Sequence, residues 1–129
     1  MLRTLFLVAF GGALAAASAA AGAKESALDT MLRDRVAGTP VDCINTQASG
    51  PYGLTIVDGT ALVYRDGKTL YVNRTTNPET LDRDDMLVIE QFGGLRLCRH
   101  DRVYTHDRTS GGRTGVVFLS EFVPYKKPD

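Results

Sequence analysis

The tripeptide His100-Asp101-Arg102 recurs six residues later as His106-Asp107-Arg108, and these hold the two histidines of the 129-residue chain. A histidine beside a carboxylate is the pairing that general-base catalysis uses, and two such pairs could also chelate a metal ion. The spacing counts against a shared ion. Six residues of extended chain cover about 20 Å, and the intervening Val103-Tyr104-Thr105 reads as strand rather than turn. His100 and His106 are expected to be solvated strand-end charges. They remain weak binding candidates, and no metal ligand set is assigned.

Acyl transfer needs a nucleophile, a base and an oxyanion hole. Ser26, Ser49, Ser110 and Ser120 offer hydroxyls, but none lies in a G-x-S-x-G elbow. No catalytic residue is assigned. Asp82-Arg83-Asp84-Asp85, flanked by Glu79 and Glu90, resembles the start of a calcium loop but lacks its turn glycine and spaced final glutamate. With 15 acidic residues in the chain, a glycosidase-like pair of carboxylates could always be found somewhere, so that signal is empty. Asn73-Arg74-Thr75 matches the glycosylation sequon. Tyr52, Tyr64, Tyr71, Tyr104 and Tyr125 could line a binding face. Tyr64 and Tyr71 flank an Asp-Gly hairpin, where a cross-strand aromatic pair is ordinary sheet packing, and both are kept as weak binding candidates.

Cys43 and Cys98 are the two cysteines. There is no Cys-x-x-Cys and no histidine spaced with Cys43, so a disulfide is expected, ahead of a reactive thiol or a metal site. It would close a loop of about 55 residues, worth on the order of 4 kcal/mol in the chain-entropy model.

The elements that must carry these side chains are mainly strands. Glu25 to Val36 is the helical candidate, because Leu28, Met31, Leu32 and Val36 recur at three- and four-residue intervals and Gly38 and Pro40 supply a stop. Leu54–Val57, Ala61–Arg65 and Lys68–Asn73 are separated by Asp58-Gly59-Thr60 and by Asp66-Gly67, which predicts a three-stranded meander. Asn77-Pro78-Glu79 can open one helical turn. Strands resume at Met86–Gln91, Leu95–Cys98 and Val103–Thr105. Val116-Val117-Phe118-Leu119 is apolar on both faces, which predicts a central or core-crossing strand that finishes at Phe122–Tyr125. The expected fold is mainly β: a small antiparallel barrel or sandwich of six to seven strands with one N-terminal helix.

Residues 1–23 carry Arg3, then an apolar run from Leu5 to Phe10, then small residues at A-x-A spacing in several registers. This is the pattern of a cleavable secretory signal, with the cut expected between Ala19 and Lys24. An uncleaved anchor is the competing reading, because Leu5–Ala23 nearly reaches the roughly 20 residues that span a bilayer. Cleavage would leave a helix and linker at 24–40, a single β-rich domain at 41–129, and no stable membrane span. Without Arg3 the remainder holds 14 basic and 15 acidic side chains, interleaved without blocks. That balance gives no footprint for nucleic acid, and no cofactor motif is present.

The landmarks run in the order Asp42-Cys43-Ile44, Asp58-Gly59-Thr60, Tyr64 to Asn73, Leu97-Cys98-Arg99 and Glu121-Phe122-Val123-Pro124-Tyr125. This order resembles a family of small secreted bacterial proteins classed as a domain of unknown function, over about residues 36–125. Members often carry a second cysteine pair, where this chain has Asn77-Pro78 and Gly115-Val116. The resemblance implies export and a similar fold, but no activity, cofactor or catalytic residue. The expectation is therefore a periplasmic or secreted, non-catalytic domain that binds a protein or envelope component. The alternatives are a small envelope hydrolase built on His100, His106 and nearby acids, and an inhibitor that presents Asn73–Asp85 or Arg108–Arg113 to a periplasmic enzyme.

Overall fold

A computed structural model describes residues 27–47, 53–90 and 94–128. The expected export signal and its cut site lie outside these residues, as do Tyr52, Ser26 and Ser49.

The fold is mainly β and antiparallel, and a sandwich rather than a closed barrel fits it. Ten strands occur among the described residues: β1 (Val36–Ala37), β2 (Cys43–Asn45), β3 (Leu54–Val57), β4 (Ala61–Asp66), β5 (Thr69–Asn73), β6 (Met86–Glu90), β7 (Arg96–Cys98), β8 (Arg102–His106), β9 (Arg113–Val117) and β10 (Phe122–Lys126). The count exceeds the six or seven expected because the run expected to continue from Val116 to Tyr125 divides into β9 and β10, and because β1 and β2 are only two and three residues long. Pieces that short have too little alternation to read from sequence.

One sheet has the order β1-β10-β5-β4-β3, a second has β6-β8-β9, and β2 pairs with β7 as a ribbon. The meander was legible, but one of its turns is shifted. Asp66 pairs with Thr69, so Gly67 and Lys68 are the central residues rather than Asp66 and Gly67. Gly67 has φ +58°, while Lys68 avoids the left-handed region. The first central position alone needs glycine, which is the type II′ requirement rather than the type I′ one.

The five-stranded sheet is covered on both faces, which explains why β4 is buried throughout Ala61–Tyr64. Its alternating residues serve two cores. Leu62 and Tyr64 join Ile44, Leu97, Val103, Val117, Leu119 and Phe122 between the sheets. Ala61 and Val63 join Val57, Leu70 and Val72 on the other side, beneath Leu28, Met31 and Leu32. The strand with two apolar faces is thus β4. The sequence had pointed to residues 116–119, but β9 lies at a sheet edge and Phe118 is 60% exposed. The chain then crosses between the sheets at residues 118–121, and Phe122 opens a separate strand, β10, between β1 and β5.

The helix is also shorter than its apolar periodicity suggests. Residues 27–31 are helical, and Asp34 reverses the backbone at φ +62°. Aspartate is among the few non-glycine residues that tolerate this region. Arg35 then donates to the carbonyls of Lys68 (2.7 Å) and Tyr125 (3.3 Å). These bonds hold the chain where Val36 pairs with Lys126 and Ala37 with Tyr125. Val36, expected on the helical stripe, is instead a strand residue and 61% exposed.

Candidate functional site

The two His-Asp-Arg segments stand at opposite ends of β8, and each aspartate is occupied by its own turn. Cys98 N–H donates to Asp101 Oδ2 at 2.7 Å, while Asp101 N–H donates to the Cys98 carbonyl at 2.9 Å. At the far end Asp107 Oδ1 accepts from the N–H groups of Thr109 and Ser110, both at 2.8 Å. These two bonds, that from Ser110 first, hold the Asp107 carboxyl below its ordinary value. His106 Nδ1 donates to the Gly111 carbonyl at 3.0 Å. The repeat thus marks the two turns that bound one strand, and it does not bring His100 and His106 together.

The described serines are equally committed. The Ser110 hydroxyl accepts the Gly112 N–H, and the Ser120 hydroxyl donates to Asn73 Oδ1 at 3.1 Å. Neither bonds a histidine. The acidic loop works in the same way: Asp82 Oδ1 accepts from Asp84 N–H, Asp58 Oδ1 from Arg83 N–H, and Asp85 Oδ2 from the Thr114 hydroxyl. Among the described residues no group of three or more His, Cys, Asp or Glu is placed to hold a metal ion.

Tyr64 and Tyr71 are direct cross-strand partners between β4 and β5. Tyr64 is 1% exposed and its ring lies in the inter-sheet core, with Tyr71 packed half-buried beside it. Their position makes them sheet packing, so the weak binding role considered for Tyr64 has no surface to act from. Asn73, the sequon residue, is 0% exposed and bonded through both ends of its amide to Ser120, which leaves no amide free for a glycan.

Cys43 and Cys98 form a disulfide and face each other directly in the β2–β7 pair, with Cα atoms 4.0 Å apart. The bonds Thr46 N–H to Leu95 O and Arg99 N–H to Asp42 O flank them. Alternation along the ladder makes Cys43–Cys98 a non-hydrogen-bonded pair, the closer of the two antiparallel types.

The surface feature with the richest chemistry is a cleft of about 580 Å³ beside β8 and β9. Arg99, His100, Asp101 and Arg102 line one side, with Arg113, Val116 and Phe118 on the other and Tyr104 between them. The Arg113 guanidinium carbon lies 3.8 Å from the centroid of the Tyr104 ring, close enough for a cation–π contact. Arg99 is engaged by Asp42 (3.4 Å) and Glu121 (3.6 Å). Arg102 is exposed; Glu90 stands opposite it across the β6–β8 pair, yet no ion pair joins Arg102 to another described residue. The result is two arginines without carboxylate partners beside an exposed phenylalanine. Of these residues, His100 and Tyr104 were legible as candidates. Arg113 was legible only as the end of the Arg108–Arg113 loop, and Arg102 and Phe118 were not. The signal that could have found them is register: folding β8 onto β9 about the Asp107–Gly112 turn sets Arg113 close to Tyr104.

No family model, no curated protein and no solved structure matches the chain. Among the described residues no helix is long and apolar enough to cross a membrane.

Proposed function

We propose that this is a periplasmic or secreted domain, of the family its landmarks resemble, that acts by binding rather than catalysis. Its partner is a protein or envelope component that presents an anionic group to the β8–β9 cleft. The observation that carries this reading is the pair Arg102 and Arg113. One is free of carboxylates, the other is stacked on Tyr104, and both stand beside exposed Phe118. Guanidinium groups next to aromatic surface suit a carboxylate or phosphate oxyanion. The dispersal of the histidines and of the described serines favours binding over hydrolysis, because no described serine forms a nucleophile–base hydrogen bond with either histidine. The disulfide supports export.

The test is chemical cross-linking and affinity capture from envelope extract, with wild type run beside the double variant Arg102→Glu/Arg113→Glu. A component retained by wild type and lost on charge reversal is the expected result. Capture of the same components by both, or of none by either, would overturn the proposal.

A further inference from the structure

Among the described residues the two larger sheets have four edge strands, β1, β3, β6 and β9, and the fold treats them differently. β1 is two residues long. β9 carries a bulge at Thr114, where the register slips between Thr105 and His106. Its far end is stitched over by Asn77, whose Nδ2 donates to the Val116 carbonyl at 2.7 Å and whose Oδ1 accepts from Phe118 N–H at 3.1 Å. Thr76 N–H adds a bond to the Phe118 carbonyl. Short strands, bulges and covering segments are the usual ways of keeping an edge from recruiting another chain.

Among the described residues the other two edges, β3 and β6, lack these devices. Their sequences, Leu-Thr-Ile-Val and Met-Leu-Val-Ile-Glu, contain no proline, lysine or bulge. Among the described residues neither strand pairs beyond β4 and β8 respectively, and both line one groove of about 710 Å³. Leu54, Ile56, Leu87 and Ile89 all pack only half-buried against the inter-sheet core along this seam. The seam therefore combines open backbone donors and acceptors with incompletely covered aliphatic side chains.

We infer that this groove is a strand acceptor: it receives an extended segment of another polypeptide, which adds antiparallel to β6 and covers the half-buried aliphatics. Edge addition takes its affinity from main-chain hydrogen bonds and its selectivity from alternate side chains. The inserted strand should therefore be apolar at every second position. Arg83, Asp85 and Arg108 line the groove at the Met86 end. Arg83 is paired with Asp58 at 3.6 Å, which leaves Arg108 as the guanidinium there without a carboxylate partner among the described residues. Glu90 closes β6 at the other end. An antiparallel guest would thus carry its acidic residue near its C-terminal end. This surface is separate from the β8–β9 cleft and does not depend on it.

The probe is an equimolar library of capped heptapeptides, Lys-X-Thr-X-Thr-X-Glu, with X drawn from Val, Ile, Leu, Phe and Tyr. It is titrated into the ¹⁵N-labelled, disulfide-intact protein. Saturable shifts at residues 54–57 and 86–90 are expected. N-methylation of alternate amides along the pairing edge of the peptides should weaken binding roughly tenfold or more. Changing only the peptide keeps the protein's folding out of the comparison. Equal affinity of the methylated library, shifts located elsewhere, or no shift at millimolar peptide would each overturn the inference. So would β6 shifts that grow with protein concentration alone, which would give the edge to a second copy of the chain. The Arg102→Glu/Arg113→Glu variant should titrate as wild type does, so failure of the cleft proposal and failure of this one are distinguishable.

Discussion

Asn73 holds Ser120 from both sides. Its Nδ2 donates to the Ser120 carbonyl at 2.8 Å, and its Oδ1 accepts from Ser120 N–H at 2.9 Å and the Ser120 hydroxyl at 3.1 Å. Oδ1 also accepts from Thr75 N–H at 2.9 Å. One fully buried amide thus fixes the end of β5 to the crossing between the two sheets. Truncation to alanine leaves at least two buried backbone groups unpaired, at about 1–3 kcal/mol each. Asn73→Ala should lose roughly 3 kcal/mol or more in urea unfolding. Asn73→Asp, which keeps the acceptor and loses the donor, should fall between alanine and wild type.

The Cys43–Cys98 bridge closes a 55-residue loop. The Cys43→Ala/Cys98→Ala variant should lose on the order of 4 kcal/mol, a large share of a small domain's stability. Urea midpoints of the variant and of reduced wild type should agree. Intact mass after alkylation should show no modified thiol in the protein before reduction.

Two buried hydroxyls, Tyr64 Oη and Thr75 Oγ1, have no hydrogen-bond partner among the described residues. Tyr64→Phe removes one and keeps the ring, so stability should be unchanged or rise by about 1 kcal/mol. Thr75 also sits at φ +51°, a region that a branched side chain enters at a cost of about 1–2 kcal/mol. Thr75→Gly should therefore raise the thermal midpoint. A fall in either variant would mean that the hydroxyl is in use.

Asp107 carries the pH dependence of the β8–β9 turn. Its folded pKa is depressed by the N–H groups of Ser110 and Thr109. The contribution is complete above the unfolded value of about 3.9, and it is lost as pH falls from there through the lowered folded value. Titrating the Asp107 carboxyl by NMR should give a midpoint below the ordinary aspartate range. The Thr109 and Ser110 amide shifts should move with it. Asp107→Asn, which retains the acceptor without the charge, should flatten those shifts.

What the sequence disclosed follows from how local each cause is. Asp58-Gly59-Thr60 and the turn at Gly67 declare their hairpins, because turn chemistry acts over a few residues. The cysteine pair was legible because two thiols without metal spacing leave few alternatives. Val36 misled because an apolar residue four positions after Leu32 fits a helix as well as a strand. What decided it was Arg35 reaching carbonyls 33 and 90 residues away. The Val116–Leu119 run misled for a related reason: an exposed Phe118 and a buried Phe122 look alike until the sheets are assembled. The β8–β9 cleft and the β3–β6 seam were invisible because each is made by register between distant strands. The histidine–aspartate repeat, by contrast, was visible but told of turns rather than chemistry.

The position of β10 in the five-stranded sheet has a consequence for the order in which the molecule can be completed. Any chain emerging from its N-terminus presents Cys43 and then Cys98 before Phe122–Lys126 exists outside the machinery that delivers it. Both thiols can therefore be joined while β1 and β5 still lack the strand that must lie between them. The bridge needs no part of β10, whereas β1 and β5 are joined only through it.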